Sequence, residues 1–540
     1  MPGLRSGGLG KDFEQVAPDV LARHIEEYLV EHPVAVILED GRVLFDMRNA
    51  RYSVSESHGR CVLQLWSEER NLIRTVVGVE ARAQCLRVIT RRMGASRPQA
   101  LEFAASNDRR TPTARDTARR TYQRILERAL TRAFIGYKVD GLSSAMDLEH
   151  SFGPAYVRGR LLKGTAADAV IGVGETESGT MADGILTLGI LWLDRCRAGA
   201  AAEGRRHFGG LKVVVPVATW RTTAERMVWL NHAAAEFRLY TLDERSEELV
   251  QVDFRDTGNM QSRLVHAFSA SAAIERCQAG LNRVLALVPE GARPRIEIHP
   301  HSATEVGLLL YGLEFARARQ GLAAHSFAHE TEVTFGAGPN ETPLTDENEA
   351  LARELFGRLF RSRRPGGSHT DALFRLQPER WLEARLRAGI DELLPGLRGD
   401  MLYSQVPALS SSDRGMLDLL TLDRNGRLTV IELKADEDLH LPMQALDYWI
   451  RVRALNDDRQ PAAGAAGRTL SAFERQGYFA GAEVAATPPR LLLAGPALRI
   501  HPANEPVLRY FSPQIDWELI ALSEHWRQEL KVVFRKHSGS

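Results

Sequence analysis

The sequence predicts a multidomain protein of the α/β class (α+β across its domains): a β-rich N-terminal module, a central α/β domain and a C-terminal α/β core. Three observations predict it. The chain has 540 residues, well beyond the ~100–200 of a single domain. Between 118 and 287, continuous apolar runs alternate with helical periodicity, as in a buried, partly parallel sheet covered by helices. Runs of strand-like alternation occupy much of 18–105 and 294–340.

Residues 1–105 are the first expected unit. A helical stretch from Val20 to Val30 precedes VAVILEDGRVLFDM, whose Asp40-Gly41 pair signals a hairpin turn, then RCVLQLW, LIRTVVGV and CLRVITRRM. The polar segment SNDRRTPTARDT, 106–117, reads as a linker. Within 106–290, the helix RRTYQRILERALTRAF leads to strands VRGRLLK and AVIGVGE and the apolar helix ILTLGILWLDRC. The strand LKVVVPVA, a helix around TAERMVWLNHAA and the strand FRLYTLD follow. Residues 291–345 return to strand-like sequence (RIEIHPH, VGLLLYGLEFARA, ETEVTFGAG). Residues 346–369 are expected to be a connecting helix and linker, and 370–540 the last domain.

Composition limits the function. With 69 basic and 69 acidic side chains the formal net charge is zero, so nucleic-acid binding would need local basic patches. Cys61, Cys85, Cys196 and Cys277 form no CxxC pair, which argues against a disulfide frame or a cysteine zinc site and fits a reducing compartment. No run of 18 apolar residues occurs, and MPGLRSGGLGKDFEQ lacks an apolar signal segment. The expectation is a cytoplasmic protein with no membrane partner.

The chemistry concentrates in 414–452, RGMLDLLTLDRNGRLTVIELKADEDLHLPMQALDYWIRV. MLDLLTLD and RLTVIELK read as two strands joined at Arg424-Asn425-Gly426, a strong hairpin signal. Alternation puts Leu428, Val430, Glu432 and Lys434 on one face, and the hairpin can bring Asp418 near Glu432. Two carboxylates and an ammonium among Leu, Ile and Val are costly unless a cation compensates. Mg²⁺ suits that role because it prefers oxygen ligands and keeps several waters. Lys434 then stands where it can orient or deprotonate water and offset phosphodiester charge. Pro442 fits the first turn of the next helix, where Gln444 and Tyr448 share a face. Upstream, PERWLEARLRAGIDELL (378–394) is an amphipathic helix carrying Glu379 and an inward-reaching Glu383.

These residues and their order (helix, hairpin, helix, then the strand RLLLAG at 490–495) resemble the αβββαβ core of the PD-(D/E)XK nuclease superfamily, over about a third of the chain. Gln444-Ala445-Leu446-Asp447-Tyr448 is similar to the QxxxY box of RecB-type nucleases, and GRLTVIELK to NucS-type endonucleases. The resemblance implies metal ligation by Asp418, Glu432 and the Leu433 carbonyl, and a catalytic role for Lys434. It also implies support from Gln444, Tyr448 and Glu383. One departure is Leu417, where the superfamily motif has proline. The activity implied is that of a Mg²⁺- (or Mn²⁺-) dependent DNA endonuclease leaving 5′-phosphate and 3′-hydroxyl ends. Two alternatives stay open: a nucleic-acid-binding or assembly protein with a vestigial site, and a nuclease acting on RNA or branched structures. A homodimer is also left open, because cutting both strands with one centre takes two chains or two binding events. The competing structural reading is a surface hairpin with a Glu432–Lys434 ion pair, and the apolar strand neighbours argue against it.

Several weaker signals accompany this one. Arg120, Arg124, Arg128 and Arg132 recur every four residues after Arg109, Arg110 and Arg115. They read as a phosphate-tracking stripe or a solvated helix face partly compensated by Asp116 and Glu127. RSRRPGG (361–367) is a backbone contact or a basic linker. The central block has a helix–strand–strand–helix–strand order that allows a degenerate nuclease-like copy, with acids at Asp147, Glu149, Glu175 and Glu177. An unrelated α/β module fits the same order. His299/His301 and His325/His329 read as ordinary surface or loop histidines and not a zinc set. VIGVGETESG is neither GxGxxG nor Walker A, so no nucleotide cofactor is expected.

Overall fold

The computed structural model describes residues 17–539, except 40–41, 58, 68–70, 83–84, 92–97, 106–111, 148, 205, 257–262, 323–328, 338–339, 410–413 and 463–466. The expected Asp40-Gly41 turn, Arg109, Arg110 and His325 lie outside the described residues, as does the N-terminal MPGLRSGGLGKDFEQ. The chain is a mixed α/β protein. It divides into two compact units, 1–159 with 172–178 and 242–249, and the remainder.

The first unit opens with α1 (Pro18–Glu31), β1 (Val36–Glu39), β2 (Arg42–Asp46), β3 (Arg51–Ser57), β4 (Arg60–Trp66), β5 (Asn71–Arg82), β6 (Cys85–Arg91) and β7 (Gln99–Ala104). Proline opens α1, and Leu21, Ile25 and Leu29, four apart, form its buried stripe. That stripe joins Leu63, Leu65, Val88 and Phe103 in one core over an antiparallel sheet ordered β2-β1-β7-β6-β5-β4-β3.

Next come α2 (Pro112–Ala133), β8 (Lys138–Ser143), β9 (Tyr156–Lys163), β10 (Ala166–Val173), α3 (Gly179–Asp183), α4 (Ile185–Glu203), β11 (His207–Pro216), α5 (Trp220–Val228), β12 (Glu236–Asp243) and β13 (Glu248–Val252). The strand order is β13-β12-β11-β10-β9-β8. Residues 112–117, expected in a linker, are the first turns of α2, since proline starts a helix without losing a bond.

β14 (Arg263–Leu264) is followed by α6 (Ala270–Leu287), β15 (Ile296–Ser302), β16 (Glu305–Leu310), β17 (Leu313–Leu322), β18 (His329–Ala337), β19 (Asn340–Pro343) and α7 (Glu349–Ser362). VGLLLYGLEFARA, read as strand-like, forms two strands: Tyr311 and Gly312 take φ 47° and 74° and reverse the chain. The helix expected to be a connector, α7, buries Phe356, Leu359 and Phe360 in one core with Cys277 and Leu281 of α6 and Phe315 of β17. Arg363, expected in a nucleic-acid backbone contact or a basic linker, is fully buried over the Trp381 ring. It donates to the carbonyls of Leu310, Tyr311, Leu373, Leu376 and Gln377. Its guanidinium is a packing element, and burial pulls its pKa down to about 9.

The C-terminal elements are α8 (Ala372–Arg375), α9 (Pro378–Leu393), β20 (Tyr403–Leu409), β21 (Arg414–Leu422), β22 (Leu428–Leu433), α10 (Leu441–Asp457), β23 (Gln460–Pro461), β24 (Thr469–Leu470), α11 (Ala472–Arg475), β25 (Arg490–Pro496), α12 (Asn504–Leu508), β26 (Asp516–Leu522) and β27 (Val532–His537). Their sheet runs β14-β20-β21-β22-β25-β26-β27, parallel only at β22/β25 and β25/β26. Leu382, Leu386 and Ile390 of α9 pack on Leu419, Ile431, Leu433 and Leu492, which leaves the opposite face of β22 to Val430 and Glu432.

Candidate active site

The β21/β22 hairpin pairs Leu419↔Ile431 through Leu422↔Leu428. Its turn spans 423–427, where Asp423 Oδ1 accepts the Asn425 and Arg427 amides at 2.7 and 2.9 Å. Gly426 has φ 78°, and a Cβ there would lie 2.2 Å from the Glu483 carbonyl oxygen, so the turn needs glycine twice over. One step further along this register, Asp418 faces Glu432. The Leu433 amide, adjacent to Glu432, donates to Asp418 Oδ2 at 3.0 Å.

Glu432 is 3% exposed, and its Oε2 is buried without a hydrogen-bond partner. Burial, reinforced by the Asp418 charge, raises its carboxyl well above the usual range. Burial also raises Asp418, against the Leu433 amide and the Lys434 charge. Lys434 follows β22, its amide held by the Ala494 carbonyl at 3.1 Å. Its Nζ lies 3.6 Å from Glu379 and 3.7 Å from Asp438. Burial lowers its pKa, but Glu379, Glu432, Asp438 and Asp418 outweigh burial and raise it overall.

Helix α9 brings in Glu383, buried and 3.1 Å from Arg380. Burial first, then the Asp418 charge, pushes Glu383 up to about 7. Gln405 of β20 links the two acids, donating Nε2 to Glu383 Oε2 at 3.0 Å and to Asp418 Oδ1 at 3.4 Å. Sequence reasoning missed Gln405. Its φ of 52° is a backbone conformation that costs a non-glycine residue on the order of 1–3 kcal/mol, and such strain gathers at functional sites.

Helix α10 starts where expected, with Pro442 in its first turn and the His440 amide held by Asp438 Oδ1 at 2.7 Å. Tyr448 feels the charges of Glu432 and Asp418, and burial, its main influence, pushes its phenol up. Gln444 lies one turn earlier on the same face and is half-buried. Buried Arg226 of α5 grips Asp447 through two hydrogen bonds, at 2.7 and 2.6 Å, and Trp229 meets Trp449 edge-on at 4.7 Å. A cavity of about 270 Å³ reaches Glu383 and Gln405 and is bordered by Arg380, Arg387, Arg317 and His301.

The chemistry of this donor set fits a divalent cation. Asp418, Glu432 and the Leu433 carbonyl would supply hard oxygen ligands, and the unpartnered Glu432 Oε2 lacks a partner that such an ion would provide.

Elsewhere, Arg120, Arg124, Arg128 and Arg132 are exposed on α2, but the Glu247 carboxylate pairs with both Arg128 and Arg132. Of the compensation expected from Asp116 and Glu127, Asp116 lies 3.6 Å from Arg119, and Glu247 serves Arg128 and Arg132. Glu177 closes on Arg119 at 2.6 Å, and Asp147, Glu149 and His150 gather in a loop with ligand atoms within 4.8 Å of one another. His299 and His301 line one strand, 3.6 Å from Glu297 and 2.6 Å from Glu314 respectively. No helix among the described residues is long and apolar enough to cross a membrane. No protein-family model matches the chain, and no curated protein matches it.

Proposed function

We propose that the protein is a Mg²⁺- or Mn²⁺-dependent nuclease of the PD-(D/E)XK type that hydrolyses phosphodiester bonds, with DNA as its substrate and endonucleolytic cleavage as its action. One observation carries the reading: a buried Glu432 with an unsatisfied carboxylate oxygen, next to Asp418 and Lys434 on strands whose buried residues are mainly apolar. The order α9–β20–β21–β22–α10–β25 supports it as the αβββαβ core of that superfamily.

The bound cation would supply positive charge against the scissile phosphate and a site for water. Asp418 and Glu432 would hold it, the former fixed by the Leu433 amide and Gln405. Lys434, as an ammonium, orients water and neutralises phosphate charge. Tyr448 and Gln444 steady the same edge from α10. Water adds to phosphorus, the bond to the 3′ oxygen breaks, and that oxygen takes a proton, leaving 5′-phosphate and 3′-hydroxyl ends.

The test is a cleavage screen of purified protein on single-stranded, duplex, flapped and mismatched DNA and on RNA, with and without Mg²⁺ or Mn²⁺. Metal-dependent cleavage that vanishes in Lys434→Ala is expected. Equal cleavage by wild type and variant would refute the assignment. Metal binding that depends on Asp418 and Glu432, without cleavage of any substrate, would point to a binding protein instead.

A further inference from the structure

The segment 112–252 follows the C-terminal order of elements once the short insertions are set aside, α3 in the central segment and β23, β24 and α11 in the C-terminal one. Its order α2–β8–β9–β10–α4–β11–α5–β12–β13 matches α9–β20–β21–β22–α10–β25–α12–β26–β27. Strands β8 to β13 lie in their sheet in that sequence, as do β20, β21, β22, β25, β26 and β27 in theirs. By position, α4 corresponds to α10 and α5 to α12.

The corresponding helices also meet reciprocally. α10 packs on α5, and α12 packs on α4. At the end of α5, Arg226 and Trp229 engage Asp447 and Trp449 of α10. Just past α12, Tyr510 engages Asp194 and Arg197 of α4. Between them Leu230, just past α5, bridges Phe511, just past α12. The Asn231 amide donates to the Tyr510 carbonyl and the Ser512 amide to the Trp229 carbonyl, both at 2.8 Å. Contact of element i with j and of j with i is the signature of a two-fold, self-complementary interface.

The two layers differ in their chemistry. β9, the counterpart of the strand bearing Asp418, contains no carboxylate. The one acid in β10, Asp168, is neutralised by Lys212 at 2.6 Å.

We infer that the chain contains its own dimer: the layer carrying α4 and α5 occupies, in cis, the surface through which a second catalytic layer would pair, so one chain holds one cleaving centre and cuts one strand per binding event. The single-strand outcome rests on the nuclease reading, whereas the pairing in cis does not.

Two measurements on the full-length protein separate these claims. Light scattering should give the mass of one chain, and a two-chain mass overturns the inference. In a time course on supercoiled plasmid with Mg²⁺, open circles should accumulate before linear product, and doubling the protein should double the initial rate. Linear product without an open-circle stage, a rate rising as the square of concentration, or cutting by Lys434→Ala at the wild-type rate overturns it. If the wild type cuts nothing under any metal condition, the nuclease reading falls. Pairing in cis is then decided by mass and by charge exchange: Arg226→Glu and Asp447→Arg should each lower the melting temperature and together restore it. Failure of the double variant to recover overturns the pairing.

Discussion

Gln405 and Asp418 face each other across β20 and β21, between the pairs Ser404↔Leu419 and Val406↔Leu417, and the Gln405 amide ties Asp418 to Glu383. The backbone of Gln405 is left-handed there, at φ 52°. Gln405→Gly keeps that conformation without steric cost and removes the amide. Its melting temperature is expected to stay level or rise, by about 1 kcal/mol in stability. Cleavage should fall about tenfold as Asp418 and Glu383 lose their common donor. Unchanged cleavage in a stable variant would show that Gln405 orients nothing.

Lys434→Ala should lower cleavage at least ~100-fold while Mg²⁺ binding, followed by calorimetry, persists. Asp418→Asn and Glu432→Gln should abolish the binding heat, because each removes an ionised oxygen ligand. Retained binding in both would place the cation elsewhere, with Asp147, Glu149 and His150 the first place to look.

Stability of the metal-free protein should depend on pH through Glu383. Its carboxyl titrates near 7 in the folded chain against an ordinary 4.5, so the native state holds its proton longer than the unfolded one. The stabilisation is complete below about pH 4.5 and is lost as pH rises through 7, by on the order of 3 kcal/mol. Glu383→Gln should reduce this slope in urea-unfolding series recorded from pH 5 to 8, the remainder coming from the raised carboxyls of Glu432 and Asp418. A slope identical to wild type would contradict the assignment.

Asp447→Ala takes from buried Arg226 its hydrogen-bonded counter-charge, leaving only the more weakly acting Asp183 and Glu225, and should cost about 3–5 kcal/mol. Combining Arg226→Met with Asp447→Leu should cost far less, because no charge is then stranded. Chemical denaturation of the three variants measures both. Equal losses in the single and double variants would mean that packing around α10, and not the ion pair, holds the helix.

The sequence by itself specified the local part of this protein. Alternation in LTVIELK put Glu432 on the Val430 face, the Asn425-Gly426 turn closed the hairpin, and Pro442 opened α10, because strand pleat, turn and helix start are read from neighbouring residues. Where contact partners lie far apart in the chain, the same reading failed. Arg363 read as a phosphate-backbone contact or linker charge until the carbonyls of Leu310 and Tyr311, about 50 positions away, surrounded it. Arg128 and Arg132 read as a phosphate stripe or a solvated face partly compensated by Asp116 and Glu127, until Glu247 met them. Gln405 carried no sequence mark, since only the register of β20 against β21 turns an ordinary glutamine toward two acids. The reciprocal seam at Leu230 and Phe511 likewise needed tertiary structure: a two-fold relationship is a property of distance in space, and residues 281 positions apart share no local signal.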